Sequence, residues 1–252
     1  MPSGYRILPL VYDRWQRTYG ADYSTLILPR LLATIDRHKI PTGSFLDIAC
    51  GTGSLGLMMA KRGWLFWGID GSPLMVEEAQ RKFRAARRRG TILRQDMRSI
   101  RLPVRVGLVT SMFDSINHVL TPRDLRRVFR SAASALEEGG YFIFDVNNSR
   151  CYRKLWRHAQ AVHHRDFTLI LESRYDPGRR RGYSFATLFL RERGGEKYRH
   201  CKEIVRERLF SRQELRAALR RAGFEVLECE DFNFTDVPGV GAVKTWYVAR
   251  KR

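Results

Sequence analysis

Three aspartates and one glycine loop stand at the ends of short apolar runs. Asp47 lies inside Ser44–Ala49, and Cys50-Gly51-Thr52-Gly53 follows it directly. Asp70 ends Trp64–Ile69, and Asp96 follows Thr91–Arg94. Glycines let a backbone turn sharply and come close to a ligand. An acid at the end of a second strand can accept hydrogen bonds from two ribose hydroxyls. Gly51-Thr52-Gly53-Ser54-Leu55-Gly56 fits G-x-G-x-x-G, and Asp70 follows at the spacing of about 20 residues found in dinucleotide sites. On this pattern alone a dinucleotide-binding dehydrogenase fits as well as anything else.

Other residues narrow the ligand. Asp47 precedes Gly51 in the first strand, where a carboxylate would repel a pyrophosphate but suits an ammonium group, such as that on the methionine end of S-adenosylmethionine. Gln95-Asp96-Met97 offers an acid for an adenine amino group and an apolar side chain for its ring. Asn233–Val243 joins the last two strands without a helical pattern, so the final strand must run antiparallel to its neighbour.

The elements that position these residues alternate. Helical spacing covers Tyr23–His38, Leu55–Arg62 and Leu74–Arg89, between strand-like runs Ser44–Ala49, Trp64–Ile69, Thr91–Arg94 and Val106–Met112. Thr121-Pro122-Arg123-Asp124 has the cap, the proline and the acid of a helix start, and that helix runs to Leu136. Tyr141–Val146 is a fifth strand. The pattern then changes to period two over Val162–Tyr175, Gly182–Arg193 and Glu196–Phe210, broken by Asp176-Pro177-Gly178 and Gly194-Gly195. These are hairpin signals and predict an inserted antiparallel sheet. Ser211-Arg212-Gln213-Glu214 opens another helix, and Glu225–Phe232 and Lys244–Arg250 finish the chain. The fold class is α/β: a Rossmann-like, seven-stranded, mostly parallel sheet with an antiparallel last strand and an inserted antiparallel sheet.

The same residues resemble a known family. Leu46-Asp47-Ile48-Ala49-Cys50-Gly51-Thr52-Gly53 is similar to the first motif of class I S-adenosylmethionine-dependent methyltransferases, and Gly68-Ile69-Asp70-Gly71-Ser72-Pro73-Leu74-Met75 to their second-strand motif. Gln95-Asp96-Met97 takes the third-strand position, and Leu136–Asp145 resembles the entry to strand five. Ser111-Met112-Phe113-Asp114-Ser115-Ile116-Asn117-His118, with the inserted sheet, resembles a subgroup that includes small-molecule and sugar N-methyltransferases.

The resemblance implies S-adenosyl-L-methionine as cofactor. Asp47, Ala49 and the backbone of Gly51 and Gly53 would hold its methionine moiety. Asp70 would hold the ribose, with Gly71, Ser72 and Met75 near that pocket. Asp96 and Met97 would frame the adenine, and Met112 and Phe113 would sit beneath the sulfur. Tyr12 resembles a lid tyrosine. His118, after the fourth strand, is the candidate general base, since imidazole titrates near neutrality. Residues 1–150 would form the cofactor-binding core with an N-terminal helical lid, 151–210 the sheet covering the substrate site, and 211–252 the completion of the core, in one domain overall.

Composition bounds the partners. The chain has 252 residues and 46 Lys and Arg against 26 Asp and Glu, a net charge of +20. Such a balance favours polyanions and keeps RNA as an alternative to a small-molecule acceptor. Against RNA, there is no Asn-Pro-Pro-Tyr tetrad, no Pro-Cys dipeptide and no appended RNA-binding module. The densest basic cluster, Arg81-Lys82-Phe83-Arg84 with Arg87-Arg88-Arg89, is expected on the outer face of a helix. A third reading is a cofactor-binding protein without catalysis. No apolar run approaches the about 18 residues of a membrane span. Cys50, Cys151, Cys201 and Cys229 are scattered like cytoplasmic thiols, and the expected location is the cytoplasm. His163-His164 sit in a strand pattern and face opposite ways, so no metal site is read. The sequence is compatible with a homodimer.

Overall fold

The computed structural model describes residues 5–18, 21–192, 197–234 and 239–252. In chain order the elements are a 3-10 turn (Leu8–Leu10), α1 (Tyr12–Arg17), α2 (Tyr23–Arg37), β1 (Ser44–Ile48), α3 (Ser54–Ala60), β2 (Leu65–Asp70), α4 (Pro73–Ala85), β3 (Thr91–Arg94) and β4 (Val106–Ser111). A second 3-10 turn (Ser115–His118) then leads to α5 (Pro122–Ala135), β5 (Leu136–Asn147), α6 (Ser149–Lys154), β6 (Ala159–His164), β7 (Phe167–Asp176), β8 (Arg181–Arg191), β9 (Tyr198–Arg208), α7 (Arg212–Arg221), β10 (Phe224–Phe232) and β11 (Lys244–Lys251).

The main sheet has the order β10-β11-β5-β4-β1-β2-β3. Pairs within β1 to β5 are parallel, while β11 runs antiparallel to both β5 and β10. The expected reversal of the last strand is therefore present. Alternate residues feed two apolar layers. Leu46, Phe142, Phe144 and Tyr247 face α5 and α7, whereas Phe45, Ile143 and Trp246 face α2, α3 and α4.

Local chemistry starts the helices. Thr121 Oγ1 accepts from the Asp124 N–H with Pro122 in the first turn. Ser211 and Glu214 form a complete capping box. Asp22 caps α2 through the Thr25 N–H at 2.8 Å.

The inserted sheet, β6-β7-β8-β9, is antiparallel throughout. One expectation changes here. The single strand foreseen over Val162–Tyr175 is two strands that reverse at Arg165-Asp166, with His164 opposite Phe167. No glycine or proline marks that turn; the Asp166 N–H donating to His164 Nδ1 at 3.2 Å closes it instead. The Gly194-Gly195 signal lies outside the described residues. The six-residue helices α1 and α6 were not foreseen, being too short to show a period.

Gly56 illustrates why the loop needs its third glycine. A Cβ there would come within 2.3 Å of the Phe66 ring, which is wedged against Phe45 and Phe83. Gly56→Ala is expected to lower unfolding free energy by about 1–3 kcal/mol, measured by urea denaturation.

Candidate active site

A cavity of about 1070 Å³ opens at the carboxyl ends of β1, β2 and β4, under the N-terminal segment and the edge of β9. This is the crevice where ligands enter open α/β sheets. Tyr12, Asp47, Ala49, Gly51, Asp70 and Gly71 line it, as do Ser72, Met75, Asp96, Met97, Met112, Phe113 and His118. Gly53 does not: it sits on the far side of the loop, where a Cβ would be 2.9 Å from Ala79 of α4. Its φ of +73° and that contact both call for a residue without a Cβ.

Asp47 is buried at the cavity floor. The β1–β4 register sets it opposite Thr110, whose hydroxyl donates to Asp47 Oδ1 at 2.7 Å. Burial pushes its carboxyl up to about 7, although the Thr110 bond pulls the other way. Asp70 uses both oxygens to hold the loops beside it. The Gly51 N–H donates to Oδ2 at 2.9 Å and the Ser72 N–H to Oδ1 at 2.8 Å. Burial raises its pKa against these donors. Each oxygen retains a lone pair for a further donor.

Asp96 is engaged differently from the sequence expectation. Arg98 Nε donates to both its oxygens at 2.9 and 3.0 Å, and Arg98 also approaches Asp124 at 3.6 Å. The Arg98 guanidinium holds Asp96 below the usual carboxylate range. A ligand amine would therefore share Asp96 with an arginine that also lines the cavity.

Beneath Met112 and Phe113 lies a fully buried charge group. Lys244 Nζ donates to Asp114 Oδ1 at 2.6 Å and to Asp145 Oδ1 at 2.8 Å. Lys244 and Asp145 are both 0% exposed. Asp145 also accepts from the Tyr23 hydroxyl (2.9 Å) and from the backbone N–H groups of Phe113 (2.8 Å) and Asp114 (2.9 Å). Burial alone would strip Lys244 of its proton, but Asp114 and Asp145 outweigh it and raise its pKa. Phe113 and Asp114 both take positive φ, 57° and 53°, which costs energy for residues with a Cβ. The bonds to Asp145 hold them there and stack the Phe113 ring on Tyr23 at 4.6 Å.

His118 closes the other wall. Burial lowers its pKa, with Asp114 opposing, and its Nε2 lies 3.4 Å from the Tyr5 hydroxyl. Among the described residues, Asp114, His118 and Glu207 bring ligand atoms within 4.8 Å of one another. Asp114 is already bonded to Lys244, and Glu207 accepts from Tyr152 (2.7 Å) and Asn147 (3.1 Å). Burial, then Asp114, raises the Glu207 pKa well above its usual value.

Several lining or supporting residues carried no sequence signal. Tyr5, Tyr23, Arg98 and Arg206 line the cavity from separate parts of the chain. Lys82, expected on a solvated helix face, turns inward to pair with Asp13 and donates to Thr52 Oγ1 (2.8 Å) and Ser54 Oγ (2.9 Å).

Known proteins resemble the chain in part of its sequence and in its fold. Residues 45–140 match the methyltransferase domain family. Over that stretch the chain carries a methyltransferase domain. It is 28% identical, over 96% of itself and 98% of the other, to a protein of Bacillus subtilis (strain 168) provisionally named a methyltransferase. Over 51% of the chain and 49% of the relative, it is 33% identical to the dTDP-3-amino-3,6-dideoxy-alpha-D-glucopyranose N,N-dimethyltransferase of Streptomyces fradiae. Its fold is similar to the crystal structure of an S-adenosylmethionine-dependent methyltransferase from Clostridium acetobutylicum ATCC 824. The TM-score is 0.78 at 23% identity, covering 96% of each chain. No helix among the described residues is long and apolar enough to cross a membrane.

The protein should depend on Lys244 for folding. Lys244→Met keeps the volume but leaves Asp114 and Asp145 without their cation. The expected loss is about 3–5 kcal/mol of unfolding free energy, checked by denaturant titration.

Proposed function

We propose that the methyltransferase moves a methyl group from S-adenosylmethionine to a nitrogen or oxygen of a small molecule. The observation that carries this reading is one cavity, of about 1070 Å³, that collects Asp47, Asp70, Met97, Met112 and His118 and matches the upper end of the about 300–1,000 Å³ usual for small-molecule sites. The relative that methylates a dTDP-aminosugar supports an acceptor of that size.

The residues present fit the cofactor. Asp47, buried and with its pKa pushed up to about 7, can meet an ammonium group as a carboxylate. Asp70 has acceptor capacity for a ribose diol, and the Ala49, Gly51 and Gly53 loop would flank the methionine end, Gly53 by shaping the turn. Ser72 and Met75 border the ribose, and Asp96 and Met97 the adenine. When bound, the cofactor supplies an activated methyl on a sulfonium, so the protein chiefly aligns and desolvates. Met112 and Phe113, the latter held by Asp145, would form the floor under the reacting centre. Tyr12 would cover it. His118, kept neutral by burial, would accept the proton of an acceptor that arrives protonated.

The direct test incubates the protein with methyl-labelled cofactor and fractionated extract. Label is expected in the small-molecule fraction and should fall by about ten-fold or more in His118→Ala, with cofactor affinity within a few fold. Label in RNA, together with tRNA binding that weakens steeply with salt, would favour the reading suggested by the +20 charge. Cofactor binding with no labelled product would leave a non-catalytic binder, and binding of NADH instead would end the cofactor reading.

Asp47 makes a second prediction. The cofactor ammonium pairs with the ionised carboxylate, so binding must release the proton that Asp47 holds in the empty site. Affinity should rise as pH increases through about 7, and calorimetry in buffers of different ionisation enthalpy should register proton release. Asp47→Asn should weaken binding and flatten this dependence.

A further inference from the structure

We propose that Glu203, on β9 of the inserted sheet, positions the N-terminal segment over the cavity and thereby sets how fast spent cofactor leaves. The inference rests on the cofactor reading above.

Glu203 is a carboxylate only 6% exposed, and backbone groups surround it. Its Oε2 accepts from the N–H groups of Arg6 (2.8 Å) and Ile7 (3.3 Å), and its Oε1 from that of Leu8 (3.0 Å). Three successive main-chain donors thus converge on one side chain from the opposite end of the chain. A buried carboxylate would be costly without such donors, and the donors would be costly without it.

The segment so held carries Tyr5 and Tyr12, which meet edge to face at 6.1 Å and both line the cavity. Its two sides differ. Leu8 and Val11 pack with Phe167, Leu169, Leu188 and Val205, so the apolar side belongs to the inserted sheet. Toward the core the ties described are polar. The Ser72 hydroxyl donates to the Tyr5 carbonyl at 2.9 Å, the Thr52 hydroxyl to Asp13 at 2.6 Å, and the Tyr23 N–H to Gln16 Oε1 at 2.8 Å. Thr52 and Ser72 belong to the loops that border the cavity. Ligand exchange there breaks the polar ties, which water can replace, while the apolar contact and Glu203 keep the segment on the sheet. Glu203 acts through Tyr5 and Tyr12 and touches no ligand itself.

Glu203→Gln keeps the shape but turns an amide N–H toward backbone donors. With S-adenosylhomocysteine as the probe, stopped-flow dissociation from this variant should be about ten-fold faster or more. In a Tyr12→Ala background, which already removes the cover, the same change should add less than about two-fold. An unchanged dissociation rate, or an equal effect in both backgrounds, overturns the proposal. If wild-type protein binds no S-adenosylhomocysteine, the cofactor reading has failed instead. Should the variant not fold, hydrogen exchange in the native protein decides: Arg6–Leu8 amides equally protected with and without the probe support the proposal, and amides that lose their protection when the probe is absent overturn it.

Discussion

The buried ammonium of Lys244 against two carboxylates is the constraint around which the site is organised. Lys244 begins β11, Asp145 lies near the end of β5, and Asp114 follows β4, so one charge cluster ties three strands at their ligand-facing edge. The antiparallel register sets Lys244 opposite Asn147 and diagonal to Asp145, which brings the two side chains to one face. Such a cluster adds little net stability over a well-packed apolar one, because desolvating the ions offsets their attraction. Its effect is geometric. Asp145 captures two consecutive backbone N–H groups and keeps Phe113 and Asp114 in a conformation that they would otherwise avoid.

The cavity also reconciles a basic protein with a cationic ligand. The net charge is +20, yet Asp47 and Asp70 face the cavity, and Asp114 and Glu207 stand behind His118. Long-range charge acts on what approaches the surface and is screened over about 10 Å. A ligand inside is bound by the groups that touch it. The sign of the whole protein therefore does not decide the sign of the ligand.

Much of the fold was readable because its determinants are local. Thr121, Ser211 and the glycines after β1 act on residues within a turn of themselves, and the apolar periods assign helix or strand wherever an element is long. The aspartates within β1, at the end of β2 and after β3 could be grouped because successive parallel strands bring their carboxyl ends to one edge. What escaped were short or unpunctuated elements. The β6–β7 turn at Arg165-Asp166 resembles continued alternation, and α1 and α6 are single short pieces. The close packing of Gly53 on Ala79 of α4 also went unread, because it joins residues far apart in the chain.

The sequence by itself determined the class of the sheet, the reversal of its last strand and the lining residues that lie on the loops after β1, β2, β3 and β4, since each follows from spacing along one strand or loop. Tertiary structure decided which charges meet. Nothing in the neighbourhood of Lys244, Lys82, Arg98 or Glu203 separates a buried, committed side chain from a solvated one. Lys82 pairs with Asp13, Lys244 with Asp145, and Glu203 with the backbone of residues 6–8. The physical reason is that burial and electrostatic pairing depend on distance in space, and the chain shows only distance along itself. The fold alone brings the N-terminus to β9 and β11 to β5.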